Sequence, residues 1–260
     1  MITSQANEKV KLVRALQARR QAREAEGRFV IEGVRLAEEA AQAGVRVEFA
    51  FYEERLDARG RAALDGLRGQ GAAILQVSPE VMAACSGAET PPGLLAVAPL
   101  PPLTFDLRLP PAAFVLVIDR LSDPGNLGTI LRTAAAAGVD VAYLSPGTVD
   151  AYNPKVVRGA MGAHFRLPIQ QAGWPELQTR LADVRVVLAA AEGGVAYDRA
   201  DWRRPLALIL GGEAEGASEA AERLAQTRVS IPMPGGVESL NAAVAAGILL
   251  FEVVRHGAAE

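Results

Sequence analysis

The chain has 260 residues, half of them apolar, and a net charge of −3 at neutral pH. This fits one large or two modest globular domains and excludes a disordered chain, while the slight acidity leaves any nucleic-acid partner to local patches. A single cysteine, Cys85, rules out an internal disulfide, and with only His164 and His256 no metal site is expected.

The first residues lack the apolar core of a signal peptide. No apolar run is long and charge-free enough to span a bilayer, since even 240–251 ends at Glu252. A cytoplasmic protein is expected. Residues 7–26 set Val10, Val13 and Leu16 at helical spacing among many charges. Lys9, Lys11, Arg14, Arg19, Arg20, Arg23 and Arg28 make this a basic run, with Glu8, Glu24 and Glu26 interspersed. Such a run is either a nucleic-acid surface or a solvated helix face laced with ion pairs. "RFVIEGVRLAEEAAQAG" reads as a short strand and a helix closed by Gly44. "VEFAFY", "AAILQV" and "LLAVAPL" read as strands, with helical stretches near 56–68 and 79–85. Strands and helices alternate, which predicts a small α/β domain over residues 1–98. A proline-rich linker over 99–111 and a second domain over 112–260 follow.

The second domain alternates more cleanly. "FVLVID", "VDVAYL", "VRVVLAAA", "LALIL" and "RVSI" are near-continuous apolar strands, and a helix is expected near 126–137. This pattern belongs to a mostly parallel sheet with helices on both faces. Ligands bind beyond the carboxyl ends of such strands, which selects the loops 119–128, 211–218 and 232–241.

In the first loop, Asp123-Pro124-Gly125 is turn chemistry and Asn126 is a candidate helix cap, while Arg132 lies too deep in the helix to cap it. The alanines at 134–137 allow close approach of another backbone. The second loop, "LILGGEAEGAS", lets backbone N–H groups approach a ligand. It lacks both the dinucleotide fingerprint and the P-loop, and Glu213 and Glu215 repel a polyphosphate. A cation or a ribose diol suits it better. The third stretch, "IPMPGGVESLNAAVAAGILL", sets Glu238, Ser239 and Asn241 at the mouth of a small-residue helix, which either Ser239 or Asn241 could cap. G-x-S-x-G is absent, His164 reads as packed or exposed, and Cys85 reads as a small hydrophobe.

Together these loops resemble the three motifs of the SpoU (TrmH-type) branch of the SPOUT RNA 2′-O-ribose methyltransferases. Asn126 and Arg132 match the first motif, Gly211, Gly212, Glu213 and Gly216 the second, and "IPMPGGVESLNAAVA" the third. The second departs from the family's common G-N-E-G-x-G, with Gly212 and Ala214 at the Asn and second Gly. The segment "NEKVKLVRALQARRQAREAEGRFVIEGVRLAEEA" is similar to the L30e-like substrate-binding domain of the ribosomal-RNA members.

The resemblance implies a deep trefoil knot, a homodimer with its site at the interface, and S-adenosyl-L-methionine as cofactor. It implies cofactor contacts around Gly211, Gly212, Glu213, Ile231 and Leu240, and a catalytic set of Arg132, Asn126, Glu213, Ser239 and Asn241. RNA, most of all ribosomal RNA, becomes the expected substrate, held by the basic run. Arg132 is expected to clamp a phosphate and stabilise a developing alkoxide, because a guanidinium rarely gives up its proton. The ribose proton would leave through Ser239, Asn241 or water. A transfer-RNA 2′-O-methyltransferase and a non-catalytic RNA-binding or assembly protein remain alternatives.

Overall fold

The computed structural model describes residues 1–102, 108–212 and 216–257, so the linker positions 103–107 lie outside the described residues. Two compact units result. The first comprises residues 1–102 and 152–165, and the second is built from the described residues of 103–151 and 166–260.

In the first unit, β1 (Arg28–Glu32), β2 (Phe49–Tyr52), β3 (Ala73–Gln76) and β4 (Leu94–Pro99) form a sheet of order β1-β4-β2-β3. β4 is antiparallel to β1 and β2, while β2 and β3 are parallel. Alternate side chains point to opposite faces. Phe29, Ile31, Ala50, Leu94 and Ala96 therefore enter one core, and Val30, Phe49, Phe51, Leu95 and Val97 the other. Helices α3 (Val34–Gln42) and α4 (Ala58–Gly69) complete the first core through Leu36, Ala40, Leu64 and Leu67. Helices α1 (Glu8–Ala18) and α5 (Pro79–Cys85) complete the second through Val10, Val13, Leu16 and Met82.

The basic stretch read from spacing over 7–26 is broken. Arg19 is extended (φ −133°, ψ 128°) and separates α1 from α2 (Arg20–Glu26). Arg23 folds back beneath the break, 4% exposed, and its Nη1 donates to the Leu16 carbonyl at 2.5 Å.

Residues 152–165, which fall within the expected second domain by sequence, pack in the first unit. They form α7 (Pro154–Ala160) and a 3-10 turn at Ala163–Phe165. Val157 joins the core under β1, and the Tyr152 ring lies 5.0 Å from Phe29 and 5.3 Å from His164. A buried polar cluster fixes the segment. The Glu32 carboxylate accepts from Arg158 Nη1 at 2.7 Å, from Gln17 Nε2 at 3.3 Å, from the Gly87 N–H at 3.2 Å and from the Ser86 hydroxyl. Arg158 Nη2 also donates to the Gly87 carbonyl at 3.3 Å.

The second unit holds β5 (Phe114–Ile118), β6 (Val141–Leu144), β7 (Ile169–Gln171), β8 (Arg185–Ala189), β9 (Val195–Ala196), β10 (Leu206–Leu210) and β11 (Thr227–Ser230). Their order is β7-β6-β5-β10-β8-β11-β9, and every pairing is parallel. On one face Val115, Val117, Tyr143, Leu188 and Ile209 pack with Leu177 and Leu181 around α8 (Trp174–Arg180) and with Ala221 of α9 (Glu219–Leu224). The alternate residues Leu116, Ile118 and Leu208 are equally buried, as are Leu127, Ile130 and Leu131 of α6 (Pro124–Ala136) and Leu249, Leu250 and Val253 of α10 (Ala242–Gly257). The short edge strands β7 and β9 carry no sequence pattern long enough to announce them.

Removing one partner of a buried pair strands the other charge. Because the Arg158 side chain is 29% exposed while that of Glu32 is 3% exposed, Arg158→Ala should cost about 2 kcal/mol, below the usual penalty for a fully buried pair. The opening free energy of the β1 amides in native-state hydrogen exchange reports this. An unchanged value would show that the cluster does not hold the first unit together.

Candidate active site

An all-parallel sheet delivers all its carboxyl ends to one edge. The loops after β5, β10 and β11 therefore converge although far apart in sequence. After β5, Asp123 caps α6: its Oδ1 accepts the Asn126 N–H at 2.7 Å, and Pro124 occupies the first turn. This corrects the expectation that Asn126 is the cap. Asp precedes Pro here, and proline's fixed φ suits the first helical position, so the helix starts earlier. The Asn126 side chain is thereby released for another bond. Its Oδ1 accepts from Asn241 Nδ2 at 3.0 Å.

Asn241 is doubly committed. Its Oδ1 accepts the N–H groups of Ala243 (2.9 Å) and Val244 (3.3 Å), which makes it the cap of α10, while its Nδ2 holds Asn126. The two candidate caps of the third loop are thus separated. Ser239 is exposed and its hydroxyl has no hydrogen-bond partner among the described residues.

Arg132 lies on the exposed side of α6, without a hydrogen bond or ion pair among the described residues. Its Cα stands about 9 Å along the axis from that of Asn126, from the rise per residue. Helical side chains lean toward the N-terminus, so the loop end lies on the side that an arginine at this position favours. Beside it, α6 packs on α10. A Cβ at Gly247 would stand 3.9 Å from Thr133 Cγ2, so the small residues of α10 accommodate close approach.

After β10 the chain turns tightly. A Cβ at Gly211 would stand 2.7 Å from the Ala217 nitrogen, and one at Gly212 would stand 2.8 Å from the Arg120 carbonyl oxygen. Gly212 occupies the position where the family commonly has Asn, and this close approach explains why a side chain there requires backbone movement. Glu213 lies outside the described residues. Ile231 and Leu240, expected at the cofactor, make no main-chain hydrogen bond among the described residues. Their N–H and C=O groups can therefore read the edge of a bound heterocycle.

Reading the sequence missed the group beneath this turn. Asp119, fully buried at the end of β5, accepts from the Ser145 hydroxyl and from the Ser218 N–H, both at 2.7 Å. An acidic residue directly after an apolar strand was the available signal. Burial pushes the Cys85 thiol up to about 11, which agrees with its reading as a packed hydrophobe. His164 is buried against Phe29 and Tyr152, as a packed histidine.

The basic residues of the first unit have diverse fates. Arg23 is buried and serves the α1–α2 break, which corrects its expected place on an RNA-facing surface. Arg28 pairs with Glu26 at 2.9 Å and Glu48 at 3.0 Å, Lys11 with Glu8 at 2.8 Å, and Arg20 with Glu24 at 2.7 Å. Lys9 Nζ sits 4.4 Å from the centre of the Phe49 ring. The exposed side chains of Arg14 and Arg19 have no hydrogen bond or ion pair among the described residues.

Comparison with known proteins gives this geometry a lineage. Residues 113–251 match the SpoU rRNA Methylase family, and residues 7–96 match an MRM3-like substrate binding domain. The chain is 37% identical to the mitochondrial rRNA methyltransferase 3A of Danio rerio, covering 88% of this chain and 64% of that relative's length. It is 34% identical to the 23S rRNA (guanosine(2553)-2′-O)-methyltransferase RlmP of Bacillus subtilis, covering 97% and 98%. The crystal structure of the SpoU methyltransferase AviRb from Streptomyces viridochromogenes in complex with AdoMet superposes with a TM-score of 0.87, at 30% identity over 97% of this chain and 98% of that one. With the family's domain matched over more than half of its length, and RlmP related along nearly the whole of both chains, this protein belongs to the SpoU rRNA methylase family.

Proposed function

We propose that this chain transfers the methyl group of S-adenosylmethionine to a ribose 2′-hydroxyl of ribosomal RNA. The observation that carries the reading is the Asn126–Asn241 hydrogen bond, which joins the first and third family motifs at the sheet edge. The cofactor fits the residues present: the unspent main-chain groups of Ile231 and Leu240 suit an adenine edge, and Gly211 and Gly212 admit close backbone approach. S-adenosylmethionine supplies an electrophilic methyl on a sulfonium, so the protein's work is alignment and the handling of one proton.

Methyl transfer forms the O2′–CH3 bond as the S–CH3 bond breaks, and the hydroxyl proton must leave. Asn241 holds Asn126 through Nδ2 and caps α10 through Oδ1, so Asn241 is not the acceptor. Water takes the proton, directly or through the Ser239 hydroxyl, which accepts it as it passes its own proton on to water. Arg132 binds the adjoining phosphate and stabilises the developing alkoxide.

A homodimer completes the site. Val244 and Phe251, 52% and 49% exposed, share one stripe of α10 with Ile248. Exposed apolar stripes of this kind favour association. The deep trefoil knot belongs to the same reading, supported by a strand order that inserts β10 between β5 and β8. No described helix is long and apolar enough to cross a membrane, and a cytoplasmic location belongs to the same proposal, supported by likeness to the bacterial RlmP along nearly the whole of both chains.

Mapping 2′-O-methyl groups in ribosomal RNA tests the reading: deleting the gene should abolish a site that the wild-type protein restores. Arg132→Ala should not restore it, with turnover down about 100- to 1000-fold, the usual loss for a removed oxyanion donor. Arg132→Lys should keep turnover within about tenfold, because charge rather than proton transfer is at stake. If Lys fails as fully as Ala, the clamp assignment is wrong.

Phe251→Glu should weaken self-association by at least about thirtyfold, the equivalent of roughly 2 kcal/mol for an aromatic interface anchor. Sedimentation velocity reads this, and an unaltered dimer would move the interface elsewhere. For RNA, Arg14→Ala with Arg19→Ala should lower the salt slope of log K by about 1.5 to 2 if both meet phosphates. A slope equal to wild type would exclude both from the contact.

A further inference from the structure

The strongest unabsorbed feature is the buried carboxylate of Asp119. It is 0% exposed and has no ion-pair partner among the described residues. A buried carboxylate is costly unless its oxygens are hydrogen-bonded. Here each oxygen is used: Oδ1 takes the Ser145 hydroxyl and Oδ2 takes the Ser218 N–H, both at 2.7 Å. The two donors come from places that matter. Ser218 caps α9, with its Oγ accepting the Ala221 N–H at 3.2 Å, and so ends the glycine turn after β10. Ser145 ends β6, and its Oγ accepts the Arg120 N–H at 3.3 Å. Arg120 has a positive φ of 54°, and its carbonyl oxygen is the atom a Cβ at Gly212 would meet. Arg120 Nη2 also reaches the Gly216 carbonyl at 3.5 Å.

We propose that Asp119 is a positioning residue for cofactor binding, setting the two described ends of the glycine turn, Gly211–Gly212 and Gly216–Ser218, through Ser218 directly and through Ser145 and Arg120 indirectly. The inference rests on the reading that this turn receives S-adenosylmethionine. What the position requires is a hydrogen-bonding partner at each of two fixed places, rather than charge. Asn can satisfy much of this. Its Oδ1 keeps the Ser218 N–H and its Nδ2 donates to Ser145 Oγ. The serine proton then turns to the Pro146 carbonyl, which Ser145 already approaches at 3.4 Å. Alanine offers neither partner and leaves the Ser218 N–H stranded.

The test is calorimetry with S-adenosylmethionine on the full chain, beside hydrogen exchange of the cofactor-free protein. Asp119→Ala should raise the cofactor Kd at least tenfold and speed exchange of the Ser218 amide, with RNA affinity unchanged. Asp119→Asn should stay within about threefold. Leu67→Ala, which empties core space in the first unit, should lose stability without moving the cofactor Kd. If Asp119→Ala does not fold, Ser145→Ala carries the test, with an expected threefold rise in Kd and faster Ser218 exchange. Wild-type affinity and exchange in a folded Asp119→Ala, or in Ser145→Ala, would overturn the proposal, as would equal losses in Asp119→Asn and Asp119→Ala. A wild-type protein that binds no S-adenosylmethionine would overturn the functional reading instead.

Discussion

A parallel strand cannot join its neighbour through a tight turn, so each connection must cross a face of the sheet, and each inner strand is buried on both sides. The rest of the second unit depends on that constraint. β10, lying between β5 and β8, is apolar at every position and buried throughout. Polar chemistry is excluded from the strands and displaced to their ends, where main-chain groups run out of partners. All carboxyl ends share one edge, so residues 115 positions apart, Asn126 and Asn241, meet in a single hydrogen bond. The crossing helices α6 and α10 must also lie close together, which favours the alanines and glycine that occupy α10.

The amide at 241 illustrates why side-chain identity is so constrained at such an edge. Its oxygen satisfies two orphan N–H groups of a helix start, and its nitrogen supplies the proton for Asn126. Aspartate could cap equally well but would set an oxygen against the Asn126 oxygen, with no proton between them. Serine could cap but would be too short to span both partners. A neutral group that donates and accepts in fixed directions also adds no charge where a sulfonium and an RNA phosphate are proposed to meet. Ser239, two residues earlier, has no hydrogen-bond partner among the described residues, which leaves its hydroxyl open to relay a proton.

Much of this was legible because periodicity and loop chemistry are local. The apolar runs at 114–118 and 206–210 admit little but buried strands, and the family motifs lie where the strand-end rule places them. The α1–α2 break was hidden because nothing in Arg19 forbids a helix; Arg23, turning inward to the Leu16 carbonyl, is a tertiary choice. Residues 152–165 carry no signal of which unit they join. Their membership is decided by Val157, Tyr152 and the Arg158–Glu32 pair, contacts across more than a hundred residues for the last. Asn126 was misread as a cap because Asp123, Pro124 and Asn126 all suit a helix start, and only geometry ranks them. Asp119 escaped notice because one acidic residue after a strand is ordinary until its partners are seen.

The basic run also changes meaning once its partners are known. Seven cations in a row suggest one surface, yet burial and pairing grade them. Arg23 is spent on the backbone. Arg28 is held by two carboxylates, and the Glu48 hydrogen bond raises its already high pKa, so a phosphate would have to displace both. Lys11 and Arg20 sit in exposed helical pairs, and such pairs contribute only about 0–1 kcal/mol. They can be exchanged for phosphate at little cost. Arg14 and Arg19 have no ion pair to give up among the described residues. A net-acidic protein can therefore present cations of graded availability, with Arg14 and Arg19 the cheapest to engage. Salt dependence would then report a few displaceable contacts rather than the full count of basic residues.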